Sequence, residues 1–122
     1  MAQDISPAKQ LETFMGFVDE AKLLYDLAQS NLKQEEQRKI DLEHEIEFSA
    51  NDGECCKAAR KFKRCRRARR TCKDMIKRYE QIVIFFQEPQ HQKTLNQLRQ
   101  LLGRQRREEE FLNSDRTYKP RT

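Results

Sequence analysis

The chain has 122 residues, of which 37% are charged and 36% hydrophobic, and its net charge is +5. This length allows a modest hydrophobic core and is short for an enzyme with a buried cleft. The composition favours long, solvent-exposed helices over a compact α/β body, and the periodic apolar residues exclude a disordered chain. We therefore predict a single helical domain over residues 1–112 and a flexible basic tail over residues 113–122.

The net charge hides a division between the two halves of the chain. Residues 1–54 carry 5 basic and 13 acidic side chains, whereas residues 55–122 carry 20 basic and 7 acidic ones. Such an asymmetry is typical of nucleic-acid-binding proteins, but it equally suits two halves that pack against each other. Charge alone leaves both alternatives open.

The first predicted helix covers residues 7–49. Ser6 can act as its N-cap, and Pro7 occupies the first helical position, where its missing N–H costs nothing. Apolar residues then recur at alternating intervals of three and four, the heptad pattern of helix–helix packing, with two polar interruptions at Glu35 and Lys39. The apolar positions are Leu11, Phe14, Val18, Ala21, Tyr25, Ala28, Leu32, Leu42 and Ile46.

A second heptad pattern predicts another helix over residues 54–87. It follows the turn signal Asn51-Asp52-Gly53 and should stop at Pro89, because the residue before a proline is pushed out of the helical region. Its seam positions are Cys55, Ala58, Phe62, Cys65, Arg69, Cys72, Ile76, Tyr79, Val83 and Phe86.

The two heptad patterns predict an antiparallel hairpin. A tight turn between them places Val18 opposite Phe86 and Glu35 opposite Arg69, so that apolar residues meet and two seam charges become partners. The alternative for the charged pair is that both side chains snorkel outward from a narrow seam.

A third helix is predicted over residues 91–112. Folding back at Pro89 would cover a second apolar face at the distal end of the hairpin. That face comprises Phe17, Leu24, Leu27, Ile82 and Phe85. The predicted fold class is all-α: a long antiparallel, coiled-coil-like helical hairpin with a shorter third helix packing at one end, and a projecting two-helix finger over residues 35–73.

The most charged stretch is Lys57 to Arg78, with twelve Lys or Arg residues in twenty-two positions and one acid, Asp74. The cations that flank its seam positions can pair across the hairpin with acids of the first helix, which are Glu36, Glu43, Glu45 and Glu47. Cations on the outer face remain available for phosphates, which bind through charge without sequence preference. A purely structural role and a polyanion-binding role therefore both stay open.

The candidate nucleic-acid-binding residues lie in two groups. On the outer face of the finger they are Arg60, Lys63, Arg64, Arg66, Arg67, Arg70 and Lys73. The second group is Arg104, Arg106 and Arg107, which would extend the patch near residues 71–74 if the third helix runs back along the second. Glu108, Glu109 and Glu110 follow and would supply an internal acidic partner there.

The four cysteines have no metal-ligand spacing. Cys55 and Cys56 are adjacent, and Cys65 and Cys72 are one heptad apart, about 10.5 Å along a helix, which is too far for a disulfide. We interpret them as small seam residues, except for an exposed thiol at Cys56. The chain also lacks a Gly-rich phosphate loop and a nucleophile elbow, so we expect neither an enzyme nor a cofactor or metal site.

The segments NQLRQLLGRQRREEEF, DRTYKPR and KFKRCRRARRTCKDMIKRYEQIVIFF carry a resemblance. Over roughly residues 57–122 the chain resembles small uncharacterised helical proteins of phages and prophages of Gram-positive bacteria. The resemblance implies an early-region phage protein that acts on replication, recombination, transcription or host defence. It assigns no functional residue.

These observations favour a non-enzymatic phage-type accessory protein that binds DNA or RNA through the basic finger. The alternative is a protein-binding module that inhibits or modulates a host enzyme or defence complex, and a homo-oligomer of paired hairpins is a third reading. The sequence shows no signal peptide, long apolar run or lipidation motif, so we expect no membrane and a cytoplasmic location.

Overall fold

The computed structural model describes residues 6–115, which form three α-helices and no strand. Helix α1 extends over Pro7–Glu47, α2 over Asp52–Gln87 and α3 over Pro89–Asn113. The predicted fold class is confirmed: the protein is all-α, with an α1–α2 antiparallel hairpin and a shorter α3. Within the described range, no helix combines the length and hydropathy needed to cross a membrane. Residues 116–122 of the predicted tail lie outside that range.

The turn between α1 and α2 lies two residues earlier in the chain than the sequence predicted. The Oδ1 of Asn51 accepts a hydrogen bond from the N–H of Glu54 at 2.9 Å, and the Glu54 carboxylate accepts one from the N–H of Ala50 at 2.9 Å. This reciprocal arrangement resembles a capping box and makes Asn51 the N-cap of α2. Asp52 and Gly53, expected in the turn, therefore lie in the first turn of α2.

A single residue separates α2 from α3. Glu88 has extended backbone angles (φ −62°, ψ 138°), and Pro89 opens α3 at the position where its fixed φ and missing N–H are tolerated. The side chains of His91 and Gln92 lie 2.7 and 2.5 Å from the backbone oxygens of Phe85 and Phe86. They thus provide partners for carbonyls that the end of α2 leaves open.

Contacts divide the chain into two compact units: a hairpin unit of residues 20–84, and a terminal unit of residues 1–19 with 85–122. In the hairpin unit every predicted seam position is buried or half-buried. The most buried side chains are mostly small: Ala21, Ala28, Leu42, Ala58, Cys65 and Val83. Small side chains at these positions allow the two helix backbones to approach closely, as Gly and Ala do at other helix interfaces.

In the terminal unit, α3 packs on a different face of α1 from the one predicted. Leu95 forms a core with Met15 and Val18, and Phe86 and Leu98 pack against it. Phe17 and Phe85, which α3 was expected to cover, stay 46% and 49% exposed. That prediction was wrong.

The face of α1 that receives α3 is a mixed stripe of Ala8, Glu12, Met15 and Asp19, at helical spacings of four, three and four. Arg99 Nη2 lies 3.6 Å from Asp19, and Arg106 Nη2 lies 3.2 Å from Glu12. Two ion pairs therefore flank the Met15 contact. They also make α3 antiparallel to the start of α1, because higher numbers in α3 meet lower numbers in α1.

Glu109 of α3 caps the amino end of α1. Its carboxylate accepts hydrogen bonds from the Ser6 hydroxyl and, at 2.8 Å, from the Ala8 N–H. Ser6 Oγ in turn accepts from the Lys9 N–H at 3.3 Å, which confirms Ser6 as the N-cap. The Ser6 hydroxyl is the main cause that lowers the pKa of the Glu109 carboxyl; partial desolvation opposes it, and the Ala8 N–H and Gln105 act in the same direction as Ser6.

We predict that Glu109→Gln destabilises the protein in a pH-dependent manner. A carboxyl whose pKa is lowered by folding contributes stability above its ordinary value of 4.5 and loses it as the pH falls through the lowered pKa. The difference in unfolding free energy between wild type and variant should therefore shrink in acid, as measured by denaturant titration at several pH values. The exposed neighbour Glu110→Gln is the control, and an equal loss there would contradict the cap.

Candidate nucleic-acid interface

The basic stretch of α2 is largely uncompensated. Of the twelve cations between Lys57 and Arg78, only Lys61 and Arg69 form ion pairs with a carboxylate among the described residues. The other ten side chains are all exposed. They are Lys57, Arg60, Lys63, Arg64, Arg66, Arg67, Arg70, Lys73, Lys77 and Arg78. Most of the charge of this helix is thus available to a partner.

The pairing of the α1 carboxylates explains why most cations of α2 have no ion-pair partner among the described residues. Glu36 and Glu45 pair across the hairpin, with Arg69 at 2.9 Å and Lys61 at 3.6 Å. Neither cation is one of the flanking cations that were expected to pair with them. Glu43 instead pairs within α1, 3.7 Å from the Nζ of Lys39. The prediction that Glu43 pairs with α2 was therefore wrong.

The predicted pair of Glu35 with Arg69 was also wrong. Arg69 directs both Nε (3.0 Å) and Nη2 (2.9 Å) to one oxygen of Glu36. The Glu35 side chain is only 14% exposed, and its carboxylate lies 3.2 Å from Arg38. Glu36 is 42% exposed at the seam edge, so an ion pair there requires less desolvation than one with Glu35 inside the seam.

Seven exposed cations of α2 define what we call the α2 basic surface. They are Arg60, Lys63, Arg64, Arg66, Arg67, Arg70 and Lys73, the group predicted from the sequence. Grooves run along this surface, one lined by Lys63, Arg66, Arg67 and Arg70, and a second, of about 320 Å³, lined by Arg66, Arg69, Arg70, Lys73, Asp74 and Lys77. Because they share Arg66 and Arg70, they form one continuous strip.

Lys77 belongs to this strip although the sequence prediction omitted it. It lines the second groove four residues after Lys73, one helical turn further along the same row. That spacing was visible in the sequence. From Lys63 to Lys77 the strip extends about 21 Å along the helix axis.

The second predicted cluster lies in the terminal unit. Arg106 pairs with Glu12 of α1, and Arg104 and Arg107 are exposed on α3. The contacts of Arg106 and Glu109 are with the amino end of α1, within the terminal unit. We define the α2 basic surface without these three arginines.

The electrostatics of the α2 basic surface favour anion binding. Like charges at helical spacings of three and four destabilise a helix by about 0.2–0.5 kcal/mol per pair. Arg66 and Arg70 form one such pair, and Arg70 and Lys73 another. A row of phosphates on this face would convert this repulsion into attraction.

The cysteines occupy the positions expected of small seam residues. Cys65 is buried, 2% exposed, and its thiol donates a hydrogen bond to the Glu35 carbonyl at 3.2 Å. Burial raises the pKa of the Cys65 thiol, and Glu35 raises it further, while Arg69 and Arg38 oppose this. Cys56 is exposed, as predicted. In residues 6–115 no three His, Cys, Asp or Glu side chains cluster in a way that could hold a metal ion.

Comparison with protein-family models, with curated proteins and with solved structures gave no match to this chain.

We predict that the Arg69–Glu36 pair is the strongest ion pair across the hairpin. Its short bonds and the 17% exposure of Arg69 should give a coupling free energy of about 1 kcal/mol in a double-mutant cycle with R69Q and E36Q. The longer, more exposed Lys61–Glu45 pair should give less than about 0.5 kcal/mol with K61Q and E45Q. Urea unfolding provides the four stabilities of each cycle. Equal coupling in the two pairs would contradict the assignment.

We also predict that the four thiols react in a fixed order with iodoacetamide. Cys56 should be alkylated first, because its thiol is exposed. Cys65 should be alkylated last, because only the thiolate reacts and the Cys65 thiol is buried and has a raised pKa. Peptide mass spectrometry at successive times gives the order. In denaturant the difference between Cys56 and Cys65 should disappear, and rapid labelling of Cys65 in the folded protein would argue against the seam position.

Proposed function

We propose that this protein is a non-enzymatic nucleic-acid-binding protein that contacts the phosphate backbone through the α2 basic surface. The observation that carries the proposal is the set of ten exposed cations on α2 without a carboxylate partner among the described residues. Such a surface attracts any polyphosphate, and it confers little sequence preference.

The alternative of internal neutralisation has little support. Among the described residues, the ion pairs across the hairpin involve Lys61 and Arg69 alone of the α2 cations. In α1, Glu35, Glu43 and Asp26 pair with cations of their own helix. Exposed pairs are moreover worth only about 0–1 kcal/mol, so a structural need for twelve cations on one helix is hard to justify by folding energy.

A second candidate is binding of a protein partner, either from a phage or from its host. It is favoured by an apolar groove of the hairpin unit that is lined by Leu24, Leu27, Ala28, Asn31, Thr71, Cys72 and Met75. The Leu27 side chain is 53% exposed there, more than a leucine that is packed in a hydrophobic core. A partner that occupies this groove should be retained after nuclease treatment, whereas one held by nucleic acid should be released.

The proposal predicts a salt-sensitive affinity that depends on Arg64 and Arg67. If all seven cations of the α2 basic surface neutralise duplex phosphates, log K should fall with log[salt] at a slope of about −6. Arg64→Glu with Arg67→Glu should weaken binding to mixed-sequence DNA or RNA by more than about tenfold at 50–200 mM salt.

The matched control is Lys33→Glu with Lys93→Glu, which changes the net charge equally at exposed positions of α1 and α3. Far-ultraviolet circular dichroism establishes that the helices persist in both variants. Equal losses of affinity in the two variants, or no binding by the wild type at about 50 mM salt, would refute the proposal.

A further inference from the structure

The distribution of cations around α2 indicates which nucleic acid it fits. We infer that the ligand is B-form duplex DNA, with α2 lying in the major groove and its cations facing the phosphates of both strands. This inference rests on the proposed function and narrows it to one class of nucleic acid.

The cations lie on two flanks of the outer face of α2. On one flank, spacings of four, three and four place Arg66, Arg70, Lys73 and Lys77 in one row, and all four line the same groove. On the other flank Arg64 lines a separate groove, which also holds Arg38, Lys61 and the acids Asp41 and Glu45. Helical geometry places Arg60 beside Arg64 on this second flank. Arg67 lies between the two flanks, since it also lines a groove with Arg66 and Arg70.

A duplex supplies phosphates in the corresponding places. The major groove of B-DNA is about 12 Å wide and admits one α-helix, which is about 10–12 Å across with its side chains. A helix in that groove has one phosphate strand on each side. A single strand offers only one line of phosphates, so it would leave one of the two flanks of α2 unused.

The α2 basic surface also lacks the side chains that single-strand binding requires. Proteins that hold single strands stack the bases on aromatic rings. Phe62 is the only aromatic residue between Lys57 and Arg78, and it is half-buried in the seam. Duplex RNA fits poorly as well, because the major groove of the A-form helix is too deep and narrow for a protein helix.

The seam of the hairpin leaves the outer side of α2 free for this contact. Ala58 and Cys65, which are buried against α1, lie opposite Lys63 and Asp74 on the helical wheel of α2. Lys63 and Asp74 would therefore point at the floor of the groove, where a lysine can bond guanine O6 or N7 and a carboxylate can accept from cytosine N4. Two such residues among so many phosphate contacts predict weak sequence preference.

The first arm of the test compares three mixed-sequence ligands of equal length with the wild-type protein. Duplex DNA should bind at least about tenfold more tightly than its single strand or the equivalent duplex RNA at the same salt concentration. Bound protein should also protect guanine N7, which lies in the major groove, from methylation by dimethyl sulfate.

The second arm removes one flank at a time. R66Q/R70Q and R60Q/R64Q should each reduce the magnitude of the log–log salt slope for duplex DNA by about 2, because each removes two phosphate contacts. The control K33Q/K93Q should leave the slope unchanged. All four flank residues are exposed and lack ion-pair partners among residues 6–115, so the helices should persist, which circular dichroism measures.

The outcomes separate the inference from the proposed function. Equal or tighter binding of the single strand or of duplex RNA, unprotected guanine N7, or a slope that depends on one flank alone would overturn the inference and leave the proposed function standing. No binding to any of the three ligands would overturn both.

Discussion

The close seam between α1 and α2 is the constraint on which the rest of this structure depends. Its centre is made of small side chains such as Ala21, Ala58 and Cys65, which expose almost no surface. Because the seam occupies one side of α2, the polar residues of that helix lie on its solvent-exposed side. The outward position of the cations of α2 is thus a direct consequence of a heptad pattern that assigns about two residues in seven to the interface.

The opposite charges of α1 and α2 form few ion pairs across the hairpin. An acidic helix beside a basic one could have formed a ladder of ion pairs, and yet, within residues 6–115, only Arg69 and Lys61 of α2 form ion pairs with α1. The carboxylates of α1 lie within reach of cations three or four residues away on their own helix, for example Glu35 with Arg38. Local geometry therefore decides the pairing, and the surplus on α2 remains.

The sequence was sufficient for the hairpin and insufficient for the docking of α3. Heptad spacing identified every seam position of the hairpin unit, because burial of an apolar stripe is a strong periodic signal. The stripe that receives α3 contains Glu12 and Asp19 beside Met15, so its apolar signal is diluted by charges that only the arginines of α3 explain. The partner of Arg69 could not be predicted either. The residue spacing does not show that Arg69 pairs with the more exposed Glu36 and not with Glu35.

The same distinction applies to the candidate interface. Because the seam positions of α2 are known from the heptad pattern, the remaining cations can be assigned to its outer face from the sequence. Lys77 was left out of the predicted group because that group ended at Lys73, one helical turn earlier. The position of Arg106 depended instead on the direction of α3, which a proline at the helix junction does not specify.

The cap that Glu109 places on α1 has a consequence for how the chain is made. Ser6 and Glu109 are 103 positions apart, whereas the hairpin grows from the turn at Asn51 through contacts between near neighbours. Contacts that close long loops form late, because they carry the larger entropy cost before any gain. During synthesis the first turn of α1 therefore emerges with its N–H groups open to water, and α3, which is made after the hairpin, completes it.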